Sequence, residues 1–305
     1  MGPTAAGKTE LALHLADRYP VELISVDSAQ VYRGMNIGTA KPEPELLAQY
    51  PHHLINVRDP WESYSAGDFC RDVAQLLPEI CGAGRMPVLV GGTMLYFQAL
   101  QRGLAELPEA DADLRAQLDA RAAEEGWSAL HAQLAQLDPA TAERLRPTDA
   151  QRIQRALEVC LTAGEPMSAL LATTRPQIEA NYLNIGLLPS DRAVLHANIA
   201  LRVDEMLAGG LVDEIRALLA LPEMSADVSA MRAVGYRQIA GYLQGELSAE
   251  AAKEKAIVAT RRLAKRQLTW LRSWADLQIV DSLAVDRLSR LENIVLPWMQ
   301  SGATA

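Results

Sequence analysis

Between Glu10 and Arg18 apolar residues recur at helical spacing, with Leu11 and Leu15 on one face, and this predicts an amphipathic helix. Val21 to Asp27 (Val-Glu-Leu-Ile-Ser-Val-Asp) is a short β-rich run that ends in an acid. Ser65 to Ile80 returns to helical spacing, opened by Ser65 with Asp68 three residues on, a capping-box start. Pro87 to Thr93 is an apolar run closing in glycines, followed by a helix over Met94 to Leu100. Strands alternating with helices predict an α/β fold, a P-loop-containing doubly wound parallel sheet. In such sheets ligands sit at the carboxyl ends of the strands, where Asp27 and Thr93 fall.

The texture changes after Leu104. Residues 109–175 are rich in Ala, Leu, Arg, Gln and Glu at helical spacing, without a strand signal. We read residues 109–179 as a helical insertion domain and residues 1–108 with 180–305 as a discontinuous core. Tyr182 to Leu188 is expected to rejoin the sheet as a strand, and long amphipathic helices follow from Asp191, ending in a basic stretch over Lys253 to Trp274.

The segment before the first helix carries the clearest chemistry. Gly2, Pro3, Thr4, Ala5, Ala6, Gly7, Lys8 and Thr9 fit G-x-x-x-x-G-K-T, a phosphate-binding loop. Its glycines let backbone N–H groups curl around phosphate oxygens, and the helix behind presents its positive end. Lys8 adds a point charge, and the Thr9 hydroxyl is a candidate Mg²⁺ ligand. Asp27 sits at a strand end close behind the loop, a position more typical of group-transfer enzymes than of nucleotide hydrolases; the plainer alternative is a turn or helix-capping aspartate. No second hydrophobic strand ends in Asp, so hydrolysis of a phosphoanhydride is poorly supplied.

Composition narrows the class. The chain has 305 residues, 49% of them hydrophobic and 22% charged, and a formal net charge of −9. No apolar run is long enough to span a bilayer, so no membrane partner is expected. Cys70, Cys81 and Cys160 lie far apart with no C-x-x-C pair, which excludes a zinc finger and suits a cytoplasmic location. The five histidines lack metal-ligand spacing and read as structural. The acidic balance means that any polyanion partner meets local basic surfaces. Arg261, Arg262, Lys265, Arg266 and Arg272 are a candidate track, with a solvated face as the plain alternative, and Arg144, Arg146, Arg152 and Arg155 form a second cluster. Arg232 and Arg237 flank a glycine that allows close backbone approach, and suit a phosphate clamp.

Taken in order, seven segments resemble the bacterial tRNA dimethylallyltransferases. They are Gly2-Pro-Thr-Ala-Ala-Gly-Lys-Thr9, Ile24-Ser-Val-Asp-Ser-Ala-Gln30, Tyr32-Arg-Gly-Met-Asn-Ile-Gly-Thr-Ala-Lys-Pro42 and Leu89-Val-Gly-Gly-Thr-Met-Leu-Tyr96. Gln151-Arg-Ile-Gln-Arg155, Arg232-Ala-Val-Gly-Tyr-Arg237 and Ala264-Lys-Arg-Gln-Leu-Thr-Trp-Leu-Arg272 complete the set. A shared phosphate loop alone would mean little. The resemblance implies transfer of a dimethylallyl group from dimethylallyl diphosphate to N6 of the adenine just 3′ of the anticodon, in tRNAs reading codons that begin with U. It implies Asp27 as the acceptor-side base, with Lys8, Thr9, Mg²⁺ and Arg232 neutralising the leaving diphosphate, and Thr93 touching the acceptor or bridging to the diphosphate. Contacts to the tRNA anticodon stem-loop are implied for Asp27, Ser28, Ala29, Gln30 and Thr93, for Gln151, Arg152, Ile153, Gln154 and Arg155, for Arg232, Ala233, Val234, Gly235, Tyr236 and Arg237, and for Lys265, Arg266 and Arg272. Arg115, at the start of the insertion, is a further candidate for tRNA contact. The enzyme is expected to act as a monomer.

The rivals are a P-loop small-molecule or nucleotide kinase and an adenylate isopentenyltransferase. AMP needs no grip on an anticodon stem, so the long insertion and the basic carboxyl-terminal helix argue against the second. One anomaly stands out: such a loop normally follows a buried strand, and only Met1 precedes Gly2. The expectation is a chain truncated before the loop, or one whose start is placed too late, with the first strand of the sheet missing.

Overall fold

The computed structural model describes residues 1–105, 107–176, 178–225 and 228–301. The chain divides into two units, Met1–Gln98 with Ile178–Ala305, and Ala99–Gln177.

In the first unit, helix α1 (Lys8–Arg18) leads into strand β1 (Val21–Val26), helix α2 (Pro44–Gln49) and a two-residue strand β2 (His52–His53). Helix α3 (Ala66–Gly82) and strand β3 (Met86–Gly91) follow. The capping box on α3 is present: the Ser65 side chain accepts from Asp68 N, and the Asp68 carboxylate accepts from Ser65 N. After helix α4 (Met94–Arg102), the first unit resumes with strand β4 (Asn184–Leu188), helix α10 (Arg192–Ala208), helix α11 (Leu211–Leu219), a 3-10 turn at Ser229–Arg232 and helix α12 (Tyr236–Leu243). It closes with helix α13 (Ala249–Arg272), strand β5 (Leu277–Asp281) and helix α14 (Arg287–Gln300).

All strand pairs are parallel, as the alternating pattern requires. Among the described residues they form two sheets, one in the order β2-β1-β3 and one of β4 with β5. Of the 182–188 run, Asn184–Leu188 is therefore a strand, but it pairs with β5 instead of with the sheet around β1. Beside β4, Met1 makes strand-like bonds: its amino group donates to Ile185 O at 2.8 Å, and its carbonyl accepts from Leu187 N at 2.8 Å. A side-chain layer joins the strands, with Leu11 and Leu15 of α1, Leu187, Val280 and Leu291 buried together and Val21 and Val88 packed against them. A second layer, Leu195 and Ile199 of α10 with Ala264 and Leu268 of α13, carries Ala5 of the phosphate loop on its edge.

The second unit is helical among its described residues: α5 (Ala112–Glu125), α6 (Trp127–Leu137), α7 (Pro139–Arg144), α8 (Ala150–Ala163) and α9 (Met167–Ala172). Its core is Leu118, Leu130, Leu134, Ile153 and Leu157. Asp138, fully buried, accepts from Thr141 N, Ser168 N and Ser168 Oγ, so a buried carboxylate finds partners on α7 and α9.

Candidate active site

A cavity of about 710 Å³ opens at the carboxyl ends of β1 and β3 in the first unit. The phosphate loop forms one side of it, through Thr4 to Thr9. Gly7 is the N-cap of α1 at φ 81°, a left-handed conformation natural to glycine, and no side chain caps the helix there. The first amides of α1 are thus left for an anionic ligand. Ala5 holds φ 62° without being glycine, a local strain of the kind that binding sites keep. Lys8 Nζ donates to Pro3 O at 2.8 Å. Burial lowers the Lys8 pKa to about 8, with Asp27 pulling it up and Arg202 pushing it down. Gly2 and Pro3 are buried beneath the loop and do not line the cavity.

The strand ends face the loop. Asp27 Oδ1 accepts from Ala29 N at 2.9 Å and Gln30 N at 3.3 Å, so the turn-aspartate geometry and a place on the cavity wall hold together. Thr93 Oγ1 accepts from Ser28 N at 3.0 Å, joining the turn after β3 to the turn after β1. Gln30 accepts from Ser25 Oγ and donates to the carbonyls of Thr39 and Ala40. Asp27, Ser28, Ala29, Gln30 and Thr93 thus meet on one wall.

Helices close the far side. Arg232, Ala233, Val234 and Gly235 line the cavity, as do Leu263, Arg266, Gln267 and Trp270 of α13. The stripe of Ala264, Leu268 and Leu271 faces the core, which turns the Gln267 and Trp270 stripe toward the cavity. Lys265, Arg237 and Arg272 are exposed and lie off the lining. Tyr236 does not fit its expected tRNA contact: its side chain is 0% exposed, and its hydroxyl donates to Glu214 at 2.6 Å. Tyr236 opens α12 on its buried face, with Ile239 and Ala240 three and four residues on, while the neighbouring Arg237 is exposed.

The same correction applies in the second unit. Ile153 is 0% exposed in the core of that unit, so its side chain reaches no RNA. Arg115 and Arg155 both bind Glu158, which is 0% exposed: Arg115 bidentately at 2.8 and 2.9 Å, Arg155 at 2.6 Å. Burial raises the Glu158 pKa, and the hydrogen bonds from Arg115 and Arg155 outweigh it, leaving the carboxyl below its usual range. Their guanidinium groups thus neutralise a buried charge. Gln154 donates to Asp119 at 2.7 Å, while Gln151 and Arg152 are exposed on α8.

Sequence reasoning missed two members of the site. Arg202 lines the cavity from α10, a stretch the sequence marked only as part of a long amphipathic helix. Burial lowers its pKa, the mark of a cation drawn into the site. Gln267 lay inside the Ala264–Arg272 segment, with nothing to assign it a partner. In the structure it accepts from Thr4 N at 2.9 Å and donates to Gly92 O at 2.9 Å.

No group of three or more His, Cys, Asp or Glu side chains suited to a metal occurs among the described residues. Likewise, no described helix is long and apolar enough to cross a membrane.

A phosphate loop facing a strand-end carboxylate, on parallel strands with a helical second unit, defines a P-loop α/β group-transfer protein. The family model described as IPP transferase matches residues 30–274, and the chain belongs to that family. A tRNA dimethylallyltransferase of Bordetella petrii is 56% identical over 95% of this chain and 93% of its own length. The crystal structure of the full-length tRNA isopentenylpyrophosphate transferase of Bacillus halodurans superposes with TM-score 0.71 at 38% identity, covering 98% of this chain and 95% of that one. A eukaryotic dimethylallyltransferase solved acting on tRNA gives TM-score 0.82 at 24% identity, over 98% of this chain and 78% of that one, a likeness of fold.

Proposed function

We propose that this protein is a tRNA dimethylallyltransferase, moving the five-carbon group of dimethylallyl diphosphate to N6 of the adenine 3′ of the anticodon. The observation that carries the reading is the meeting of the phosphate loop, Asp27 and Arg232 on one cavity. A diphosphate fits the loop, where the open amides of α1, Lys8 and the cation of Arg202 offset its charge. The N6 amine is a weak nucleophile because its lone pair is delocalised into the ring. Asp27, oriented by its bonds to Ala29 and Gln30, takes the N6 proton as nitrogen bonds to the allylic carbon. The carbon–oxygen bond breaks and its electron pair leaves with diphosphate, whose growing charge Lys8, Arg202 and Arg232 stabilise. Thr93 holds the turn carrying Asp27 through Ser28. A stacked adenine must leave the anticodon loop to enter the cavity. The exposed cations Lys265, Arg266 and Arg272 of α13 and Arg152 of α8 supply the phosphate contacts that hold the stem-loop.

A Mg²⁺ ion suits the Thr9 hydroxyl together with diphosphate oxygens, since this cation uses few protein ligands where phosphates are present. When bound, the ion supplies charge neutralisation on the diphosphate.

The test is paired incubation, with labelled dimethylallyl diphosphate and unmodified tRNA in one tube and γ-labelled ATP with small acceptors in the other. Label entering tRNA in the first tube supports the reading. Label passing from ATP to a small acceptor, with none entering tRNA, identifies a kinase instead.

A further inference from the structure

Glu214 of α11 makes an arrangement that the chemistry above does not use. Its Oε2 accepts from Asn36 N at 2.9 Å and Ile37 N at 2.7 Å, and its Oε1 accepts from Gly38 N at 3.2 Å and Tyr236 Oη at 2.6 Å. Three successive backbone amides thus converge on one carboxylate, the reverse of a protein nest closing on an external anion. The turn they belong to is tightly drawn. Thr39 Oγ1 donates to Met35 O, Lys41 N donates to Asn36 O, and Ala40 sits at φ 51°. Gly38 faces the Tyr236 ring so closely that an added Cβ would lie 2.5 Å from Cε2. Lys41 anchors the far end, donating to Tyr32 O, Asn36 Oδ1 and Asn56 Oδ1.

The turn matters because it is a wall of the cavity. Gly38, Thr39 and Ala40 line it, and the carbonyls of Thr39 and Ala40 receive the Gln30 amide, whose own backbone N–H is held by Asp27. Through Tyr236, the same carboxylate also grips the start of α12, directly after the Arg232–Gly235 segment that lines the other side. The phosphate loop is held separately, by Gln267.

We propose that Glu214 is a positioning residue for the acceptor side of the site. It fixes the Gly38–Ala40 wall and the Arg232 segment relative to Asp27 and leaves donor binding to the phosphate loop. The inference rests on the transferase reading given above. A carboxylate is required because four donors share two oxygens; a glutamine turns an NH₂ group toward some of them and leaves a part-buried amide without its acceptor.

The experiment is steady-state kinetics of prenyl transfer on the full chain with Glu214→Gln and Glu214→Ala, varying dimethylallyl diphosphate and tRNA separately, with melting curves alongside. The expected result is a fall in kcat of about tenfold to a hundredfold, since a misplacement near 1 Å costs that much. KM for tRNA rises, KM for dimethylallyl diphosphate stays within about twofold, and the near-isosteric Gln variant melts only about 2–8 °C below wild type. Gln267→Ala shows the opposite split. Two results overturn the proposal: wild-type kinetics in E214Q, or a loss shared equally by both substrates that follows the melting temperature. A wild-type chain that transfers nothing to tRNA removes the functional reading itself, and is thereby distinct from either.

Discussion

The side-chain oxygen of Gln267 accepts a hydrogen bond from the backbone N–H of Thr4 at 2.9 Å, and its amide donates to Gly92 O at 2.9 Å. One half of a buried amide therefore holds the phosphate loop and the other half holds the end of β3. Replacing Gln267 with Leu leaves Thr4 N and Gly92 O unpaired, at about 1–3 kcal/mol each. The expected outcome is a KM for dimethylallyl diphosphate raised about tenfold or more, with a smaller effect on KM for tRNA, measured by steady-state kinetics. An unchanged donor KM would show that the loop keeps its shape without the tie.

Asp27 is already oriented by two backbone amides, so its removal changes chemistry more than shape. Asp27→Asn keeps the turn and removes the proton acceptor; kcat is expected to fall by about 10²–10⁴-fold with both KM values little changed. Full activity in the Asn variant would assign the proton to another group.

Lys8 gives a pH signature. Its pKa is lowered to about 8 chiefly by burial, whereas the unfolded chain keeps the ordinary value of 10.5. Donor affinity in the free protein is therefore expected to weaken as pH rises through about 8, because the ammonium that meets the diphosphate is lost. Titration calorimetry with pyrophosphate in buffers of different ionisation heat should show proton uptake near that pH. For stability the sign is opposite: between about 8 and 10.5 the unfolded state holds the extra proton, so this group's contribution rises with pH across that window. Pyrophosphate binding independent of pH from 7 to 10 would contradict the assignment.

The buried Glu158 ties Arg115 of α5 and Arg155 of α8 together in the second unit. Glu158→Ala leaves Arg115 and Arg155 facing an empty core position, and a loss of about 3 kcal/mol is expected. The full range for a broken buried pair is discounted here because the arginines are partly exposed. The depressed Glu158 pKa makes its contribution present above the ordinary carboxylate range and lost as pH falls through the folded value. Denaturant unfolding of the full chain at neutral and acid pH checks both statements; an unchanged midpoint in the variant would refute them.

How far the sequence spoke depended on the range of the interaction. The α3 capping box and the α1 face are set by neighbours within a turn or two, and the pattern carried them. The pairing of β4 with β5 was not legible, because Leu277–Asp281 is a short run behind a long helix and its partner lies far back in the chain. Gln267 escaped for the same reason, with Thr4 lying 263 positions away. Ile153 and Tyr236 misled in another way. A contiguous motif on a helix cannot present every residue to a ligand, since the 3.6-residue turn buries some of them. The cavity brings Asp27, Arg232 and the phosphate loop together, while Lys265 and Arg272 of α13 are exposed and lie off its lining.

The central claim is most directly tested by mass analysis of a tRNA after incubation with this protein and dimethylallyl diphosphate. The account predicts a nucleoside heavier by one five-carbon unit, in the fragment holding the adenine 3′ of the anticodon, and none when Asp27 is replaced by Asn. An unmodified tRNA, or the added unit on free AMP alone, would contradict it.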